Sequence, residues 1–244
     1  MTYLSSKYGT IISDTVSYEK ITSGITPTIP NEAKSELEKE ITLMELQEAV
    51  KRGKNNKARG PNGICHEYYK TMWDEGKDDL RDTMNSMFKD GAVTKDQKHG
   101  HIVCIPKTQH PTSPEHYRPL TILNTDYKIL TRIIAQRLRI WMEDILHVNQ
   151  YGGRKGNTIY DTAAAVRDII AFTEINNTSL CLLSIDFKDA FDNISHEYLF
   201  KILGEYGIGD VMCRRLIEIY ANATLTLILN GSRSKPIPIK CGVQ

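Results

Sequence analysis

The run Leu180-Cys181-Leu182-Leu183-Ser184-Ile185-Asp186 constrains this chain more than any other stretch. It reads as a strongly apolar, buried strand. The run ends in a carboxylate. An aspartate at the end of a buried strand is held in place facing a cleft, where it can bind a divalent cation during phosphoryl transfer. Phe191 follows five residues later, and Asp189 and Asp192 add negative charge nearby. The same residues also read as a strand end followed by a helix-capping turn, because aspartate is common there.

The rest of the chain supplies local signals of several kinds. Residues 1–40 are polar, rich in Ser, Thr and Pro and weakly periodic, and read as a linker or leader. Thr42-Leu43-Met44-Glu45 is a capping box, with Ile41 and Leu46 at hydrophobic-staple positions and Gly53 placed as a C-terminal cap. A turn-rich loop, Lys54 to Gly63, follows. Cys65, Tyr68, Tyr69 and Met72 recur at helical spacing, as do Leu80, Met84, Met87 and Phe88. Gly100 to Ile105 reads as a strand ended by Pro106, paired with a second strand near Leu120 to Leu123. Tyr127 to Leu146 is the longest helix candidate. Thr158 to Asp161 opens another helix, Ser195 a third that Gly207 closes, and Asp210 to Tyr220 a fourth. Thr224 to Leu229, Asn230-Gly231 and Ile237 to Ile239 read as a hairpin.

Charge is informative only locally. The formal net charge is +1, so bulk charge points to no polyanionic partner. Yet Lys51, Arg52, Lys54, Lys57 and Arg59 fall together with no acid between them, and such a cluster can bind phosphates on a neutral protein. A solvated loop is the other reading of the same cluster. The five cysteines form no Cys-x-x-Cys pair, which argues against a disulfide framework or a zinc site and for a reducing compartment. Charges interrupt every apolar stretch well short of the ~18 residues of a membrane span.

Several segments together resemble one family, the reverse transcriptases of non-LTR retrotransposons of the LINE type. Ser184 to Asp192 resembles the family's motif A. Ala58-Arg59-Gly60-Pro61-Asn62-Gly63-Ile64 resembles its fingers loop, and His66-Glu67-Tyr68-Tyr69-Lys70 the stretch after it. Ile102-Val103-Cys104-Ile105-Pro106-Lys107 and Pro114 to Asn124 resemble two further blocks. Tyr127-Lys128-Ile129-Leu130, Ala135-Gln136-Arg137-Leu138, Gln150-Tyr151-Gly152, Asn230-Gly231 and Gly242-Val243-Gln244 follow in the family's order. The likeness covers roughly residues 41–244. Asn62 replaces the usual Asp, and Gly156-Asn157 the usual Gly-Arg.

The resemblance implies an α+β fold: reverse-transcriptase-like fingers and a partial palm, with an antiparallel sheet packed on helices. Residues 41–125 would be fingers, and 126–244 the remaining fingers and a truncated palm. It implies RNA-directed DNA polymerase chemistry, in which two Mg²⁺ ions about 4 Å apart stabilise the attacking and leaving oxygens. The implied partners are an RNA template, a DNA primer and a dNTP, with no membrane. Asp186 is the implied catalytic and metal-binding residue, with the Phe187 carbonyl as a second ligand. Lys107 and Arg118 would hold the triphosphate, a task that suits an ammonium and a planar guanidinium. Phe191 would crowd a ribose 2′-hydroxyl, and Gln244 would stand at the nucleotide. Lys54, Lys57 and Arg59 would meet the nucleic-acid strand, and Arg132, Arg137, Arg139, Arg154 and Lys155 are further candidates for its backbone. Asp192 reads as a residue that holds the local turn. The family's paired aspartates are not found within these residues, so the chain is expected to be a fragment and inactive alone. If the palm is truncated mid-sheet, residues 180–186 are expected to leave an unpaired strand edge. A remnant that only binds nucleic acid, and a maturase of the intron-encoded type, are the alternatives.

Overall fold

Three short helices occupy the stretch that reads as a leader: α1 (Thr2–Gly9), α2 (Thr15–Thr22) and α3 (Asn31–Glu38). The computed structural model describes residues 2–9, 15–25, 28–154 and 156–243. Helix α3 is integral to the body, since Ala33 and Leu37 are fully buried. Its apolar positions are spaced four apart within a charged sequence, too few to stand out as a periodic stripe.

Helix α4 (Leu43–Lys51) starts as the sequence requires. The Glu45 N–H donates to the Thr42 hydroxyl at 3.2 Å, and the Thr42 N–H donates back to the Glu45 carboxylate at 2.9 Å. Helices α5 (His66–Thr71), α6 (Trp73–Lys89) and α7 (Thr125–Ile145) follow, with strands β1 (His99–Pro106) and β2 (Tyr117–Ile122) between α6 and α7. Then come α8 (Ile159–Ile175), α9 (His196–Glu205), α10 (Asp210–Tyr220) and strands β3 (Thr224–Leu229), β4 (Ser232–Arg233) and β5 (Ile237–Pro238). Asn230 and Gly231 both have positive φ, 49° and 77°, the geometry that a two-residue hairpin turn demands. Gly207, at φ +85°, ends α9 as expected.

The main core joins α3, α4, α6, α7 and α10 around Leu37, Leu46, Met84, Phe88, Ile129, Leu130 and Met212. A second, smaller core lies under α1, where Leu4 and Tyr8 pack on Ile102, Leu225 and Ile237 of the sheet. No helix among the described residues is long and apolar enough to cross a membrane.

Two expectations are corrected. The sheet is mixed, not antiparallel: in the order β2-β1-β3-β4, β1 pairs antiparallel with β2 but parallel with β3. A parallel pair needs a long crossover, and helices α7 to α10 supply it. The second correction is to the apolar run itself. Residues 180–187 form no strand, and Leu182, Leu183, Ile185 and Phe187 are all exposed. A strand takes its hydrogen bonds from a neighbour, and none of the described residues lies alongside this run as one. Helix α8, which leads into it, is also unburied: Ile159 and Ile175 are 80% and 83% exposed.

Candidate functional site

The basic loop between α4 and α5 is a surface feature on a fixed base. Lys54, Lys57 and Arg59 are exposed, and among the described residues none has an ion pair. Beneath them the backbone is pinned. The Asn62 N–H donates to Asn124 Oδ1 at 3.1 Å, and buried Asn124 donates through Nδ2 to the Asp96 carbonyl at 2.7 Å. The Thr125 hydroxyl donates to the Ile64 carbonyl at 2.7 Å. Gly60 lies so close to α7 that an added Cβ would stand 2.4 Å from Asn124 Oδ1. Gly53, read from sequence as a helix cap, is needed for space instead: a Cβ there would overlap the His66 ring. Lys70 ties the start of the loop, donating to the Gly53 carbonyl and to Asn55 Oδ1, both at 2.7 Å.

Two further cations of α7 lie at the C-terminal end of α4. Arg132 donates to the Ala49 carbonyl at 2.8 Å, satisfying the C-terminal end of α4. Its pKa is lowered, first by burial and then by Arg52. Lys128, one helical turn away, is likewise lowered by burial and by Arg132. His66 is held neutral by burial, while its ring hydrogen-bonds the Val50 carbonyl at 2.8 Å. Partly buried cations crowded beside exposed ones make a site that attracts anions, though the whole chain is nearly neutral.

Lys107 and Arg118 come together on the β1–β2 hairpin. Arg118 stands directly opposite Ile105. Lys107 continues the ladder, its N–H donating to the His116 carbonyl at 2.7 Å. Strand alternation puts Lys107 on the side of Ile105 and Arg118, and both cations are exposed. The opposite side of the sheet, through Ile102 and Leu225, is covered by α1.

Asp186 stands elsewhere, on the exposed segment, with no hydrogen bond or ion pair to Lys107 or Arg118 among the described residues. Phe187 and Phe191 are 76% and 73% exposed, so neither packs a pocket here. Asp192 takes a structural part: it receives Lys7 Nζ at 2.9 Å and the Tyr8 hydroxyl at 3.2 Å. Asp189 also pairs with Lys7, at 3.2 Å. No three His, Cys, Asp or Glu side chains converge among the described residues. These residues therefore offer a divalent ion one carboxylate and one carbonyl, which do not by themselves make a two-ion site.

Other candidates resolve individually. Arg137 is not a backbone-contacting cation. It is buried, bonding Glu45 at 2.7 Å and the carbonyls of Leu37, Lys39 and Glu40. Arg154 pairs with Glu143 at 3.0 Å, while Arg139 is exposed. Helical spacing makes Tyr68, Tyr69, Trp73 and Trp141 candidates for the core; Tyr69, Trp73 and Trp141 pack against it, but Tyr68 is 51% exposed. Lys155 and Gln244 lie outside the described residues. Sequence reasoning missed Lys7, whose partners lie more than 180 positions away, and Asn124, whose partners are backbone groups that no motif announces.

Comparison with known proteins gives a consistent family. The profile described as reverse transcriptase (RNA-dependent DNA polymerase) matches residues 105–244. An uncharacterized 149 kDa protein of transposon TX1 from Xenopus laevis is 30% identical over 226 residues, 93% of this chain and 17% of that protein. A retrovirus-related Pol polyprotein of the R2 retrotransposable element from Popillia japonica is 27% identical over 57% of this chain and 20% of its own length. A probable RNA-directed DNA polymerase from transposon BS of Drosophila melanogaster is 28% identical over 67% of this chain and 18% of its own. The chain thus spans about a fifth or less of the curated relatives it matches.

Proposed function

Because the chain belongs to the reverse transcriptase family, of the kind carried by non-LTR retrotransposons, we propose that it is the substrate-holding part of an RNA-directed DNA polymerase. Residues 41–125 serve as fingers, and residues 126–244 as the remaining fingers and part of the palm. An RNA template paired to a DNA primer runs over the basic loop, with Lys54, Lys57 and Arg59 against phosphates. Lys107 and Arg118 take the triphosphate of the incoming dNTP. Asp186, with the Phe187 carbonyl, contributes to a Mg²⁺ site, and Phe191 and Gln244 line the nucleotide. Bound Mg²⁺ would supply charge neutralisation at the reacting phosphate, and a two-ion site needs carboxylates besides Asp186. On this reading the chain alone binds substrate without polymerising.

One observation carries the reading: three exposed cations, with no ion pair among the described residues, on a loop whose backbone is fixed to the start of α7. A fixed array of cations meets a polyphosphate without first paying to order itself. The test is salt-dependent binding of an RNA–DNA hybrid, followed by fluorescence anisotropy. Replacing Lys54, Lys57 and Arg59 together by Ala should flatten the log–log salt slope by about 3, roughly one per phosphate contact. An unchanged slope would overturn the placement of the nucleic acid.

A further inference from the structure

We propose that α1 is a clamp on the turn that follows Asp186, with Lys7 as the positioning residue that holds Asp189 and Asp192. The proposal rests on the reading of Asp186 and Phe191 as site residues only for its functional meaning; the contact itself stands on geometry.

The turn is a marked conformation. Asp189 has φ +50°, the left-handed region that a residue other than glycine seldom enters. Such a conformation persists where the surroundings over-determine it. Here they do. The N–H groups of Asp192 and Asn193 both donate to the Asp189 carbonyl, at 3.0 and 3.1 Å. Lys7 Nζ bridges the two carboxylates, and its side chain is only 9% exposed. Tyr8 adds its hydroxyl to Asp192. Burial works against the Lys7 ammonium, yet its hydrogen bonds to Asp192 and Asp189 prevail and raise its pKa. Burial and the Asp192 charge push the Tyr8 hydroxyl up, so it remains a donor.

The placement of α1 makes Lys7 necessary. The helix ends at Gly9, and its last carbonyls point toward the residues beyond β5. The Lys7 carbonyl accepts from the Cys241 thiol at 3.2 Å, and the Tyr8 carbonyl from the Lys240 N–H at 2.9 Å. The C-terminal end of a helix is its negative end. Two aspartates beside that end would be repelled, and Lys7 converts the repulsion to attraction. The far side of the turn is closed by backbone: the Val243 N–H donates to the Phe191 carbonyl at 2.9 Å, and the Gly242 N–H to the Ile194 carbonyl at 2.8 Å. The Phe191 backbone is thus tied to Val243 next to the clamped aspartates, while residues 180–187 before it have no strand partner among the described residues. The leader-like segment therefore sets the position of the site-bearing turn.

The experiment is hydrogen–deuterium exchange on the whole chain, read at amides 189–193 and, as an internal control, in α4 and α7. Lys7→Met keeps the apolar contacts of Leu4 and Tyr8. It should speed exchange at 189–193 by about tenfold or more, the effect of removing one member of a partly buried ion pair, and leave α4 and α7 unchanged. Lys7→Arg should restore protection. Asp192→Asn should speed exchange as well, and adding it to Lys7→Met should change little further, because the two act through one contact. Unchanged exchange in Lys7→Met, or additive effects of the two substitutions, would overturn the clamp. Asp186→Asn is outside the contact and should leave exchange at 189–193 as it was. A failure of Asp186 as a site residue therefore leaves this test intact, and a failure of the clamp leaves the assignment of Asp186 untouched.

Discussion

The guanidinium of Arg137 sits among acceptors with no other cation to satisfy them. It bonds both Glu45 oxygens and the carbonyls of Leu37, Lys39 and Glu40, where α3 gives way to α4. Its plane lies 5.4 Å from the Phe88 ring centroid, and Arg215 stands 4.3 Å from the same ring. Removing it strands a carboxylate and several carbonyls in a partly buried place. Arg137→Ala should therefore cost about 3 kcal/mol or more in urea-unfolding free energy. Arg137→Lys should recover only part of this, since an ammonium cannot fork. Burial opposes ionisation of Glu45, but its bonds from Arg137 and Thr42 prevail and hold its pKa below the usual value. A carboxylate with a depressed folded pKa stabilises the fold above its unfolded pKa, and that stabilisation is lost as pH falls through the folded value. The stability gap between the chain and Glu45→Gln should thus be full at neutral pH. It should begin to close as pH drops below about 4.3, which denaturation across pH would record. Its helical neighbours Ile133 and Ile134 share its buried face, but nothing beside Arg137 in the sequence announces that the guanidinium is buried.

At the scale of elements, local signals were legible and long-range ones were not. The capping box at Thr42, the Asn230-Gly231 turn and the bounds of α10 depend on residues within a few positions of one another. The basic loop was readable as charge, but its fixed backbone depends on Asn124, more than 60 positions away. Gly60→Ala tests that fixing. The new methyl would collide with Asn124 backbone and side chain at 2.4–2.7 Å, and backbone cannot swing aside. Limited trypsin digestion should cut the variant faster at Lys57 and Arg59, and hybrid binding should weaken in step; equal cleavage would contradict the packing. The apolar run was legible as something that needs cover, and that is why its exposure matters. Leu182, Leu183 and Ile185, and Ile169, Ile170 and Phe172 of α8, are all exposed apolar side chains of the kind that drive association. Changing Leu182, Leu183 and Ile185 to Thr should raise the concentration at which the chain stays monomeric in light scattering. A wild-type chain already monomeric and melting cooperatively would count against this.

For the whole molecule, the α+β class and the family could be read because many motifs occur in order. The mixed sheet could not, because strand direction is set by what β1 meets after a crossover of four helices. Of the candidate site, Lys107 and Arg118 share one face of a hairpin, and the basic loop stands over α7. Asp186 lies on an exposed segment outside the sheet, so the carboxylate proposed for metal binding can be picked out by its motif, but its surroundings are not legible in the sequence. The account therefore separates two abilities: holding the template–primer, and making the bond. Primer extension on an RNA template with Mg²⁺ or Mn²⁺, at chain concentrations that saturate the hybrid, measures both together. The account predicts a bound hybrid and no added nucleotide. Template-directed incorporation by the purified chain, abolished by Asp186→Asn, would contradict it.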